Sequence, residues 1–143
     1  MTTMNVLYTT EALATGGGRD GHVAVAGTDL AFDLAVPTSM GGSGNGANPE
    51  QLFAAGFAAC FHSALQLVAR QRKVSVDGSS VAGRVSIGAT DGGGFGLAVE
   101  LEVSLPGVDK EVAQEIAEEA HQVCPYSNAT RGNIDVTVTV GNN

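Results

Sequence analysis

The sequence has no tryptophan, and aromatic residues make up only 5% of its 143 positions. A core must therefore be assembled from Ala, Val, Leu and Ile around five Phe and two Tyr. Cysteine is scarce as well: two residues are too few for a disulfide-stapled scaffold or a four-cysteine zinc site. Basic residues number seven against fifteen acids, a net charge of −8, and a compact domain of that sign repels a phosphate backbone. Nucleic acid is not an expected partner. The start, Met1-Thr2-Thr3-Met4-Asn5, lacks the basic and apolar regions of a secretory leader, so the expected location is cytoplasmic. There, a cysteine pair that joins does so transiently in catalysis more often than structurally. No GxSxG elbow, P-loop or dinucleotide fingerprint occurs, since Gly16-Gly17-Gly18 has neither the spacing nor the strand–helix context.

What is present is 43% apolar residues, enough to bury one core, and a length that suits a single domain over 1–143. Asn5–Leu13 reads as a strand, followed by a glycine-rich run around Arg19. His22–Ala26 and Asp29–Val36 read as two further strands about a Gly27-Thr28 turn, the second alternating Leu30, Phe32, Leu34 and Val36 with smaller or polar residues. Pro37–Ala47 has loop composition, with Gly41, Gly42, Gly44 and Gly46. Asn48-Pro49-Glu50-Gln51 carries the signature of a helix start, and the helix is predicted to run to about Lys73. Its middle is apolar nearly all round, which suits a central, covered helix better than a membrane span in a chain otherwise made of soluble strands and an acidic helix. A chain this small has trouble covering such a helix alone, which points to a homodimer. Beyond it, Val81–Ala89 and Gly94–Leu105 form a predicted hairpin, Asp109 opens a second helix ending at Cys124-Pro125, and Ile134–Val140 is the last strand. On that helix Val112, Ile116, Ala120 and Val123 make one stripe, while Glu111, Glu115, Glu118 and Glu119 form a solvated face. The predicted class is α+β, mostly antiparallel sheet on one long buried helix.

Cys60 lies mid-helix on a stripe with Phe53, Phe57, Ala64 and Leu67. By pattern alone it reads as an inert buried thiol; a reactive Cys60 needs a cation nearby, because burial raises a thiol's pKa. Arg70, Arg72 and Lys73 suit the negative pole of the helix end. Arg19, among Gly16, Gly17, Gly18 and Gly21, is either a solvated turn residue or a guanidinium that its loop can carry over a site. Cys124 sits at a helix end beside a turn-forming Pro125-Tyr126-Ser127-Asn128 and is expected to be half exposed. The two cysteines are 64 residues apart, which excludes a CxxC motif and leaves open a pair joined by the fold. His22, His62 and His121 show no metal-ligand spacing with either cysteine; His121 reads as a surface or satisfied polar residue and His62 as a hydrogen-bonded core residue.

Several stretches together are recognisable: Tyr8-Thr9-Thr10-Glu11-Ala12 through Gly17-Gly18-Arg19-Asp20-Gly21, Asn48-Pro49-Glu50-Gln51-Leu52-Phe53-Ala54-Ala55-Gly56, Ala58-Ala59-Cys60-Phe61, and Cys124-Pro125-Tyr126-Ser127-Asn128-Ala129-Thr130-Arg131-Gly132-Asn133. They resemble the organic hydroperoxide resistance branch of the OsmC-like family along essentially the whole chain. The resemblance implies antiparallel sheets wrapped around a long central helix in an intertwined homodimer. It implies a thiol peroxidase acting on organic hydroperoxides, fatty acid hydroperoxides included, without metal or other cofactor. Cys60 matches the peroxidatic cysteine, Cys124 the resolving one, and Arg19 and Glu50 the pair that activates Cys60. The reductant it implies is a lipoylated protein or dihydrolipoamide. Phe53 and Phe57 are the expected apolar wall for substrate. Two other readings stay open, a hotdog-type acyl-thioester hydrolase and a non-catalytic binder of apolar ligands.

Overall fold

The structure, a computed structural model, describes residues 3–141. Contacts divide the chain into two compact units, Met1–Pro49 and Glu50–Asn143.

The first unit is a three-stranded antiparallel meander of β1 (Ala12–Thr15), β2 (His22–Val25) and β3 (Ala31–Asp33). The strand predicted over Asn5–Leu13 starts only where Ala12 meets Val25. Ahead of that point Val6, Leu7 and Tyr8 are 70%, 95% and 80% exposed, with no neighbouring strand among the described residues of the sheet to make a ladder. Between β1 and β2 the glycine-rich run winds into a 3-10 turn at Gly18–Asp20. A Cβ at Gly21 would lie 2.2 Å from the Thr15 carbonyl oxygen, so only glycine closes this turn.

The second unit carries the core. Helix α1 spans Pro49–Gln71. It stops two residues before the predicted end because Lys73 takes a left-handed conformation, φ 59°, with the Val74 N–H folded back onto the Ala69 carbonyl. Strands β4 (Ser80–Ala89) and β5 (Phe95–Ser104) form the predicted hairpin, in register from Ser80–Ser104 to Ala89–Phe95. Helix α2 (Lys110–Val123), helix α3 (Pro125–Thr130) and strand β6 (Asp135–Val140) complete the chain. β6 pairs with β5 in parallel, a departure from the antiparallel expectation. A strand reached through a helical crossover returns to the end of the sheet it left, and so runs parallel.

Val99, Leu101 and Val103 on one face of β5, with Leu105 just beyond its end, are all buried against Phe57, Phe61, Leu65 and Val68 of α1 and Ala113, Ile116, Ala117 and Ala120 of α2. Each large side chain buried this way contributes about 1.5–3 kcal/mol. α2 therefore turns a slightly different face inward than expected, with Ala113 and Ala117 in the core and Val123 45% exposed. Alanines on that face let α2 approach the sheet closely.

α1 is long and apolar enough to cross a membrane, yet Phe57–Ala69 supply a stripe of the core. The opposite face is uncovered in the single chain: Leu52 is 38% and Leu67 37% exposed. Leu67 thus lies outside the buried stripe expected to hold it. Arg72, expected at a solvated helix end, instead donates to Glu119 and to Glu115, at 2.7 Å for the latter, and ties α1 to α2.

Candidate active site

Cys60 lies in the twelfth position of α1, half-buried, and Cys124 lies at the junction of α2 and α3. Their sulphurs are 3.4 Å apart, both as free thiols. Cys124 is fully buried, not half exposed as its place at a helix end suggested. The reason is local. Pro125 does not open a turn; it takes the first position of α3, and Cys124 joins the buried core cluster.

Burial pushes the Cys60 thiol above its ordinary value. The backbone N–H of Tyr126 works the other way by favouring the thiolate, and the neighbouring Cys124 raises the thiol further. The net direction is upward, which by itself does not make Cys60 a strong nucleophile.

Three rings stand together in this unit. Phe53 stacks on Tyr126 at 5.9 Å, and Phe57 meets Phe53 and Tyr126 edge-on at 5.8 and 5.6 Å. Phe57 is fully buried and backs the other two, while Phe53 and Tyr126 reach the surface. Gly56 makes room for this arrangement: a Cβ there would press on the Tyr126 ring, 3.1 Å from its hydroxyl. Sequence reasoning misses Tyr126 as a site residue, because Pro125-Tyr126-Ser127-Asn128 has the composition of a turn. The Cys-Pro step carries the available signal, since the comparable Asn48-Pro49 step does begin a helix.

Glu50 occupies the first turn of α1, half-buried, on the same continuous helix as Cys60. Arg19 sits half-buried in the 3-10 turn of the first unit. That turn is tied rather than loose: Asp20 and Gly21 donate backbone bonds to Gly17 and Gly18, and Asp20 Oδ1 accepts from the Val36 N–H at 3.0 Å. Among the described residues no three His, Cys, Asp or Glu side chains converge. His62 bonds the Ser79 hydroxyl at 2.9 Å, and His121 Nδ1 bonds that of Ser127 at 2.8 Å.

Residues 42–139 match the OsmC-like protein family. The chain belongs to that family. Over 137 residues it is 53% identical to the organic hydroperoxide resistance protein of Xanthomonas axonopodis pv. citri, covering 94% of this chain and 95% of that one. It is 45% identical over 131 residues to the organic hydroperoxide resistance protein OhrB of Bacillus subtilis, covering 91% and 95% of the two chains. Among solved structures, that of an organic hydroperoxide resistance protein from Elizabethkingia anophelis matches with a TM-score of 0.92 at 53% identity, over 98% of this chain and 100% of the other. The α+β architecture is thus that of this OsmC-like branch.

Proposed function

We propose that the protein reduces organic hydroperoxides, fatty acid hydroperoxides among them, to alcohols through its two thiols. The observation that carries this reading is the cysteine pair itself, 3.4 Å between sulphurs, one reachable and one buried. The names of the relatives point the same way. The Cys60 thiolate attacks the terminal oxygen of the hydroperoxide, the O–O bond breaks, and an alkoxide leaves to take up a proton. Cys60 is left as sulfenic acid. Cys124 then attacks that sulphur, forming the disulfide and releasing water. Because its own surroundings hold the Cys60 thiol upward, the reaction needs a cation, and Arg19 is the residue assigned to stabilise both thiolate and departing alkoxide. Glu50 orients that guanidinium. Phe53, backed by Phe57, offers an apolar wall that favours an alkyl hydroperoxide over hydrogen peroxide.

A dithiol reopens the disulfide by exchange, and a lipoyl group on a partner protein, or free dihydrolipoamide, is the proposed donor. The working unit is a homodimer. Supporting this, apolar side chains of Val6, Leu7, Leu52 and Leu67 stand exposed in the single chain.

The test is mass spectrometry after one equivalent of hydroperoxide. Wild type should end as an intramolecular Cys60–Cys124 link, and turnover should be sustained by dihydrolipoamide but not by glutathione. Cys60→Ser should abolish turnover. Cys124→Ser should consume one peroxide per chain and stall as Cys60 sulfenic acid, over-oxidising only when further hydroperoxide is added. Wild type without the Cys60–Cys124 link sinks the proposal, and acyl-thioester hydrolysis that survives loss of both cysteines would indicate the thioester hydrolase reading instead.

A further inference from the structure

The bend between α2 and α3 is one residue long. Cys124 closes α2, its N–H on the Ala120 carbonyl, and opens α3 with an extended ψ of 124° between two helices. Its side chain caps neither helix, which leaves the sulphur facing Cys60. Two polar groups that reach Cys60 belong to this corner: the Cys124 sulphur and the Tyr126 backbone N–H. Rotation about that single ψ would swing α3, with the Tyr126 N–H, relative to α2 and the Cys124 side chain, and so break the arrangement of the two around Cys60.

A side-chain bond spans the corner. His121 Nδ1, in the last turn of α2, lies 2.8 Å from the hydroxyl of Ser127, in α3, and so encloses Cys124 and Tyr126 between its ends. Ser127 is fully buried, so its hydroxyl has no solvent to turn to. Outside it, Arg131 donates to the His121 carbonyl and, at 2.8 Å, to Asn128 Oδ1. Burial, with the Arg131 charge adding to it, keeps the His121 imidazole toward its neutral form. None of these groups has a part in the peroxide chemistry described above.

We infer that His121 and Ser127 are positioning residues for disulfide formation: their hydrogen bond fixes the α2–α3 corner so that the Cys124 sulphur waits beside Cys60. The inference rests on the proposed thiol chemistry. In the step concerned, Cys124 sulphur attacks Cys60 sulphur, the S–S bond forms as the S–OH bond breaks, and the hydroxide leaves as water with the Cys124 proton. Misplacing one partner slows such a step steeply, whereas the earlier attack on peroxide needs only Cys60 and its activating groups.

The experiment follows the reduced full chain after one equivalent of tert-butyl hydroperoxide, quenched with a sulfenic-acid trap and read by mass spectrometry. In Ser127→Ala and His121→Ala the Cys60–Cys124 link should form roughly 10- to 100-fold more slowly, with trapped Cys60 sulfenic acid in its place. His121→Asn, which keeps a polar atom near the position of Nδ1, should recover most of the rate; His121→Gln, reaching one bond too far, should not. A link forming at the wild-type rate in Ser127→Ala overturns the inference. So does slow closure accompanied by free alkylation of Cys124 in reduced Ser127→Ala, because the bond would then merely hold the fold together. A parallel series uses diamide, which takes two electrons and two protons from the thiol pair without peroxide. Slowed diamide closure in the variants supports the inference even where wild type ignores peroxide, a result that would count against the peroxidase reading alone.

Discussion

Cys60 has surroundings that oppose its proposed work. Burial, and beside it the second thiol, push its pKa upward, while the Tyr126 amide pulls the other way. A cation placed against it would reverse that balance, since an opposite charge nearby favours the ionised form. The sign gives a prediction for Arg19→Ala. Removing the guanidinium should move the midpoint of Cys60 alkylation to higher pH. At neutral pH the alkylation rate should then be lower by a factor of about ten for a midpoint one pH unit higher, because only the thiolate reacts. Alkylation by iodoacetamide across pH, in a Cys124→Ser background, measures it. Equal midpoints with and without Arg19 would remove it from the activating role. The two cysteines are legible in the sequence as residues, but not as neighbours. A separation of 64 positions carries no distance, and the burial of Cys124 depends on α3, whose six residues are too few to show a periodicity. Tyr126 and His121 escape sequence reasoning for the same reason: their contacts exist only once Pro125 is seen to begin a helix.

The long elements are the most readable. Twenty-three residues of α1 and ten each of β4 and β5 carry strong patterns, and their predicted bounds hold to within two residues. Short elements depart from expectation where the deciding contact is not local, as for β1, which begins at its pairing with Val25, and for β6, whose direction is set by the crossover before it. Arg72 belongs here too, because its bonds to Glu115 and Glu119 need two helices side by side. How closely α1 lies on the sheet is set by glycine. A Cβ added to Gly83 in β4 would stand 3.0 Å from the Ala54 carbonyl oxygen and 3.4 Å from Ala58 Cβ, whereas one added to Gly88 in the same strand meets nothing within 4 Å. Gly83→Ala should therefore push the strand off the helix and cost about 1–3 kcal/mol. Gly88→Ala should be neutral or stabilising by up to about 1 kcal/mol, through the unfolded chain it restricts. Denaturant midpoints of the two variants decide this, and similar midpoints would mean that the helix–sheet contact gives way without strain.

The proposed dimer bears most directly on Glu50. Glu50 and Cys60 lie on one helix that runs without interruption through Gly56. At about 1.5 Å of rise per residue their axial separation is about 15 Å, more than a glutamate side chain and an arginine can span while both meet the same thiolate. A break in the helix would have shortened that distance, and there is none. If Glu50 orients the guanidinium over Cys60, the carboxylate therefore comes from the other subunit, with two α1 helices running antiparallel across the interface. The exposed Leu52 and Leu67 lie on this same helix and would be covered by such a pairing. Mixing Cys60→Ser subunits with Glu50→Ala subunits tests the arrangement, since each homodimer alone should be inactive or severely slowed. In the mixed dimer the intact Cys60 sits on the Glu50→Ala chain, and the Cys60→Ser chain supplies a normal Glu50. One complete site is rebuilt, so peroxide consumption with dihydrolipoamide should return after subunit exchange. Exchange demonstrated by native mass spectrometry without any recovery would place Glu50 on the same chain as the cysteine it serves, or outside the activating pair altogether.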